Sequence, residues 1–141
     1  MRPSHMEKTF VILKPSAVSR GLVGEIISRL ERKGLRLKQL RTKIISREEA
    51  ERLYEIHRGK PFFEGLVETI TSGPVVLMVW EGREAIQVVR KLMGATDPVK
   101  AEPGTIRGDF GLDITDNLIH ASDSRESFEE ECFIFFRPDE V

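Results

Sequence analysis

The sequence predicts an α+β sandwich of the ferredoxin-like βαββαβ type. A four-stranded antiparallel sheet is covered by helices, with a long ordered loop before the last strand. Three observations carry this. Apolar runs of strand length recur at TFVIL, PVVLMVW and CFIFF. Between them lie segments whose apolar residues return every three or four positions, the period of a helix with one buried face. Residues 94–124 show neither period and are punctuated by Gly94, Pro98, Pro103, Gly104, Gly108 and Gly111.

Residues 9–13 (TFVIL) read as a buried strand that Pro15 stops. Leu22, Val23, Ile26, Ile27 and Leu30 share one helical face, with Glu25, Arg29 and Arg32 opposite. Gly34 stands where the C-cap belongs. Leu35 and Leu37 then alternate with Arg36 and Lys38, after which the apolar parity shifts to Leu40, Thr42 and Ile44. A long strand with a bulge near Gln39 explains the shift. Ser46 and Glu49 form a capping box ahead of a helix through Leu53 and Ile56. Pro61 opens a second short helix carrying Phe62, Phe63, Leu66, Val67 and Ile70. Residues 74–80 (PVVLMVW) form a continuous apolar strand, buried on both faces. Residues 83–93 form a helix with Ile86, Val89 and Met93 in line. After the loop, residues 124–130 read as a short acidic helix and 132–136 (CFIFF) as the last strand. The helix pair across residues 47–70 is an insertion between strands two and three, and the helices are expected on one face of the sheet.

Composition narrows the function. A chain of 141 residues suits one domain. Residues 1–5 of the opening MRPSHM read as vector-derived, with the domain spanning 6–141 and His5 irrelevant to function. The net charge is −1, from 22 basic and 23 acidic residues, so neither a nucleic-acid partner nor a membrane surface is expected. No apolar run approaches the roughly 20 residues of a membrane helix. The single cysteine, Cys132, forbids an intrachain disulfide and suits a reducing, cytoplasmic setting, with Cys132 itself a small buried hydrophobe. Charged residues reach 32%, with one Asn and two Gln, a balance that leans towards a thermophilic source. The runs PVVLMVW and CFIFF offer more apolar surface than one helical layer covers, so an oligomer is expected.

The loop is where chemistry is expected. Ile106, Phe110, Leu112, Ile114, Leu118 and Ile119 give it enough apolar groups to be ordered, and it delivers His120 beside Asn117, Ser122, Asp123 and Ser124. No GxxxxGK[ST] or GxGxxG motif occurs, so a phosphate ligand has to be held mainly by side chains. Lys14, Arg90, Thr96 and Arg107 are the candidates. Each has a plainer alternative: Lys14 as a solvated strand-end lysine, Arg90 as a surface charge, Arg107 as a salt-bridge partner of Asp109 or Asp113. Imidazole ionises near neutrality and serves as base, metal ligand or nucleophile. With no HxxxH or HExxH spacing a zinc site is not expected, and without GxSxG a serine nucleophile is not either. Covalent chemistry on His120 survives this elimination, with Glu131 as a carboxylate able to orient the ring. His57, beside Arg58, reads as structural or exposed.

At NLIHASDS the chain closely resembles the nucleoside diphosphate kinases. The resemblance runs across residues 8–138 and includes TFVILKPSAV, RGLVGEI, KPFFEGLV, SGPVVLMVWEG and PGTIRGDFG. It implies that His120 takes the γ-phosphoryl group of ATP or another nucleoside triphosphate and passes it to a nucleoside diphosphate. It further implies that Lys14, Arg90, Thr96, Arg107 and Asn117 contact phosphates and ribose. Phe62 would stack on the base beside Leu66 and Ile114, and Tyr54, Ser122 and Glu131 would support the histidine. Mg²⁺ is implied, held mostly by the nucleotide's phosphates and water, with no direct protein ligand. So is a homo-oligomer, a hexamer in preference to a tetramer. Ser16-Ala17 departs from the Asp-Gly usual after the family's Lys-Pro, and Arg125 from the usual Val or Pro. Neither is a transferring group. A non-catalytic nucleotide-binding regulator would tolerate loss of His120, Lys14 or Arg107, and all three are present. A nucleic-acid module would need exposed stacking aromatics on the sheet, whereas these strands are apolar throughout.

Overall fold

Four strands, β1 (Met6–Leu13), β2 (Arg36–Lys43), β3 (Val75–Arg83) and β4 (Ile119–Ala121), form one sheet in the order β2-β3-β1-β4. The computed structural model describes residues 6–141, so the reading of residues 1–5 as vector-derived lies outside the described residues. Every pairing is antiparallel. This is the predicted ferredoxin-like fold, with α3 (Arg47–Leu53) and α4 (Phe63–Ile70) inserted between β2 and β3. β1 and β3 are central because both are apolar on both faces; Phe10 faces Val79 and Ile12 faces Leu77 in register. β2 alternates exposed and half-buried residues, as an edge strand does, and its register shifts between Leu37 and Gln39. The bulge expected near Gln39 is therefore present.

Helices cover both faces of the sheet, which corrects the expectation of one covered face. Val11, Leu13, Met78 and Trp80 pack against Ile26 and Leu30 of α2 (Val23–Lys33), Val89 of α5 (Ala85–Met93) and Ile106 of α6 (Ile106–Phe110). Phe10, Ile12, Leu77 and Val79 pack against Leu53, Phe63, Val67 and Phe128. The physical reason was already in the strands. Successive side chains point to opposite faces, so an unbroken apolar run needs cover on both. Each such side chain, fully buried, contributes about 1.5–3 kcal/mol. The Ser46–Glu49 capping box forms as predicted, and Gly34 ends α2 at φ 111°. A short α1 (Pro15–Ser19), which the sequence reading lacked, starts with Pro15 in its first turn.

The second correction concerns the C-terminal run. CFIFF is not the last strand. Its first four residues close α7 (Arg125–Phe135), which is opened by a capping box on Ser124, and Phe136 is the C-cap. Phe128, Cys132 and Phe135 are spaced four and three residues apart, so a helix puts all three on one side against Phe10. The apolar face that a docked helix buries overrides the strand preference of Phe and Ile. The fourth strand is instead the short Ile119–Ala121, at the end of the long loop, where Ile12 faces His120.

Candidate active site

His120 is aimed by strand alternation. Ile119 and Ala121 turn into the core beside α2 and α5, so His120 turns to the other face of the sheet, towards α7. There its Nε2 lies 2.9 Å from Oε1 of Glu131. A carboxylate oxygen accepts, so Nε2 holds the proton and Nδ1 keeps the free lone pair. Ser122, fully buried, donates its hydroxyl to the same Glu131 oxygen at 3.1 Å. Glu131 thus sits on a helix and not at a strand start, immediately before Cys132, which anchors α7 in the core. Leu118 enters the strand at φ 76°, a left-handed conformation costing on the order of 1–2 kcal/mol in a non-glycine residue. The strain stands immediately before the segment that carries the histidine.

Around His120 opens a cavity of about 570 Å³ between α4, α7 and the loop. A larger concavity, about 850 Å³, lies at the opposite end of β1 and β3 among Glu7, Lys8, Arg83 and Glu129. It holds no histidine, and none of the candidate site residues lines it. Of the residues singled out in the sequence, Lys14, Tyr54, Phe62, Leu66, Arg90, Thr96, Arg107, Ile114, Asn117, His120 and Glu131 all line the smaller cavity. Ser122 is the exception, standing behind Glu131.

Lys14 is no solvated lysine; it is 4% exposed. Its Nζ donates to Oδ1 of Asn117 at 2.8 Å, and Asn117 Nδ2 donates to the Thr96 carbonyl at 2.9 Å. Ser16, one of the departures from the family pattern, donates its hydroxyl to Asp116 and so ties α1 to this part of the loop. Arg107 is 5% exposed and makes no salt bridge to Asp109 or Asp113. Asp109 pairs with Arg29 at 2.7 Å instead. Arg107 donates to the carbonyls of Gly94, Asn117 and Ile119, at 3.2, 3.2 and 2.6 Å. It therefore staples both ends of the loop to the start of β4. Gly94 is required at one end, because it sits at φ 87° and a side chain there would collide with Thr105. Arg90 is exposed but turned inward, donating to the Ala121 carbonyl at 3.2 Å. Lys14, Arg90 and Arg107 enter no ion pair among the described residues. Three converging cations without carboxylate partners make a site for a polyanion.

Burial, and then the neighbouring Arg107, pull the Lys14 ammonium down from its ordinary 10.5 to about 8; Asp116 and Asp113 oppose this weakly. Burial and Arg90 likewise lower Arg107 to about 10. The sign matters. In the free protein Lys14 gives up its proton near pH 8, whereas the unfolded chain keeps it to about 10.5. The buried charge costs stability below pH 8, and that cost fades as pH rises through the window from 8 to 10.5. A bound polyanion restores the charge. Binding above pH 8 should therefore take up about one proton, and affinity should fall by up to about tenfold per pH unit there. Calorimetry at about pH 9 in two buffers of different ionisation enthalpy measures this; zero net uptake would refute it.

Tyr54 and His57 complete the wall. The Tyr54 phenol is pushed upward by burial and by the Glu131 carboxylate, so it stays protonated. Its hydroxyl is buried without a partner among the described residues, and its ring meets His120 edge-on at 6.0 Å. His57, read from the sequence as structural or exposed, lines the cavity instead. A 3₁₀ turn, Glu55–His57, follows Tyr54, and residues three apart eclipse in such a turn. That spacing was the available signal. At the mouth Phe62 is 47% exposed and Ile114 more so, with Leu66 partly buried behind them.

Residues 7–141 match the family profile described as nucleoside diphosphate kinase. A nucleoside diphosphate kinase from Hyperthermus butylicus is 63% identical over 136 residues, 96% of each chain. One from Pyrococcus furiosus is 59% identical, over 98% of this chain and 88% of that protein. Among solved structures, the halophilic nucleoside diphosphate kinase of Halobacterium salinarum in complex with CDP is 53% identical. It superposes with a TM-score of 0.93, over 96% of this chain and 91% of that one. With the family profile, the sequence identity and the fold all shared over nearly the whole chain, this chain belongs to the nucleoside diphosphate kinase family.

Proposed function

We propose that the chain transfers the γ-phosphoryl group of a nucleoside triphosphate to a nucleoside diphosphate by way of a phosphohistidine on His120. The observation that carries this is the His120–Glu131 contact of 2.9 Å in a cavity where Lys14, Arg90 and Arg107 converge. The Nδ1 lone pair attacks the γ-phosphorus, and the bond to the bridging oxygen breaks, leaving its electrons on the departing diphosphate. Nε2 keeps its proton throughout and donates it as a hydrogen bond to the Glu131 carboxylate. A second diphosphate then attacks the same phosphorus, and the P–N electrons return to Nδ1. Phosphoryl transfer asks mainly for positioning and charge neutralisation, which the three cations supply, with Tyr54, Thr96 and Asn117 as neutral donors. Phe62 offers a face to any base, with Leu66 and Ile114 flanking it. CDP in the Halobacterium relative supports a nucleoside diphosphate as one substrate. Initial rates should give parallel double-reciprocal lines for ATP against ADP, GDP, CDP or UDP; converging lines would overturn the shuttle.

Mg²⁺ fits this reading as a companion of the nucleotide. No group of three or more His, Cys, Asp or Glu side chains that could hold a metal occurs among the described residues. The single carboxylates Asp123 and Glu130 line the cavity and could reach the ion's water shell. When bound, the ion would neutralise charge on the phosphates. Residues 6–141 act as one domain in this reading. The work belongs in the cytoplasm, where a free buried thiol such as Cys132 stays reduced. No helix among the described residues is long and apolar enough to cross a membrane.

The chain is also proposed to act as a homo-oligomer, a hexamer in preference to a tetramer. The original support, apolar strand surface left uncovered, fails because helices cover both faces. Other features support it. β2 pairs on one side only, and Leu40 and Ile44 on or beside it are exposed, as are Val99 and Leu112 on the loop. Light scattering at micromolar concentration should give a mass of four or six chains; a monomer would refute the assembly.

A further inference from the structure

We propose that His57 is a positioning residue for the nucleobase, its inclined ring fixing the angle at which Phe62 presents a stacking face. The inference rests on Phe62 being the base platform. The His57 and Phe62 ring centroids are 5.1 Å apart at 63°, an edge-to-face arrangement. Phe62 needs such a partner. It is half exposed at the N-cap of α4, where no helical turn precedes it to restrain the side chain. Its other close neighbour, Lys60, reaches the ring from 5.8 Å through a long flexible stem. Lys60 is itself exposed and cannot hold an angle.

His57 is held where it can. It ends the 3₁₀ turn that follows Tyr54, and its backbone N–H donates to the Tyr54 carbonyl at 2.8 Å. Its ring lies 6.3 Å from the Tyr54 ring, which in turn meets His120. Four rings, His120, Tyr54, His57 and Phe62, thus form one contiguous row from the nucleophile to the base platform. Hydrogen bonding does not explain where the His57 ring sits, because its buried Nδ1 has no partner among the described residues. Ring contacts explain it. Burial, with Lys60 and then His120 nearby, lowers the pKa of His57, so the ring works uncharged near neutrality.

The test separates base binding from general damage. His120-phosphorylated enzyme is discharged with ADP and with ribose 5-diphosphate, which lacks the base. For His57→Ala, KM for ADP should rise roughly two- to tenfold, the worth of one edge-to-face aromatic pair, with kcat unchanged. KM for the baseless acceptor should rise by less than KM for ADP. His57→Phe keeps the ring and removes the unpartnered nitrogen; it should return KM to within about twofold of the parent without lowering the melting temperature. Should alanine loosen the turn, His57→Leu, which keeps bulk but no planar edge, should repeat the alanine result. Equal losses for both acceptors, no rise in KM, or a His57→Phe enzyme as impaired as His57→Ala would overturn the assignment. A parent protein that forms no phosphohistidine would instead count against the kinase reading itself.

Discussion

His120→Ala should lose all transfer of label from γ-labelled ATP and Mg²⁺, and turnover should fall by at least about 10⁴-fold. The size follows from the geometry. Tyr54 is held protonated and Ser122 donates its hydroxyl to Glu131, so neither takes over as nucleophile. In the parent protein one phosphoryl group per subunit should appear without acceptor, and any common nucleoside diphosphate should discharge it. The P–N bond makes the label acid-labile and alkali-stable, the reverse of a phosphoserine. The variant should still fold and bind nucleotide. Its neighbours Ile119 and Ala121 keep β4 in place, and Glu131 keeps the Ser122 hydrogen bond. Acid-stable label, or undiminished label in the variant, would move the enzyme to direct transfer.

Arg107→Ala should give the next largest loss, and for two reasons at once. The first is charge: one of three cations that meet the phosphates is lost. The second is the staple. The carbonyls of Gly94, Asn117 and Ile119 each lose a donor. A buried acceptor left without its partner costs about 1–3 kcal/mol, so the loop and the start of β4 should loosen together. We expect kcat/KM to fall by more than about 100-fold for every nucleotide alike. Arg107→Lys is the sharper variant. It keeps the charge, but a single ammonium on a flexible stem cannot reproduce a planar fork serving three carbonyls. It should recover less than about tenfold of the loss. An Arg107→Ala enzyme with intact rates and altered base preference would refute the placement of Arg107 over the phosphates.

Signals spanning a few residues were legible in the sequence. The capping box at Ser46, the left-handed Gly34 and the bulge at Gln39 are set by local backbone chemistry, and all three stand as read. CFIFF shows the limit. Its strand propensity is real, but Phe128, Cys132 and Phe135 gain more by burying one helical face against Phe10, a partner more than 100 positions away. His57 was passed over because its three-residue spacing from Tyr54 carries meaning only in a 3₁₀ turn, which the sequence reading did not place there. Its partners Tyr54 and Phe62 become neighbours through a turn and a helix start.

By itself the sequence determined the strands β1 and β3, most of the helices, the ordered loop and the motif around His120, because periodicity and motif spacing act over short stretches. Only the tertiary structure decided that helices cover both faces of the sheet. It alone decided that Lys14 is buried against Asn117, and that Arg107 spends its donors on carbonyls and not on Asp109. These outcomes depend on which distant groups share a low-dielectric space. A buried cation takes whatever oxygen the packed chain brings within reach, and sequence distance does not encode that choice.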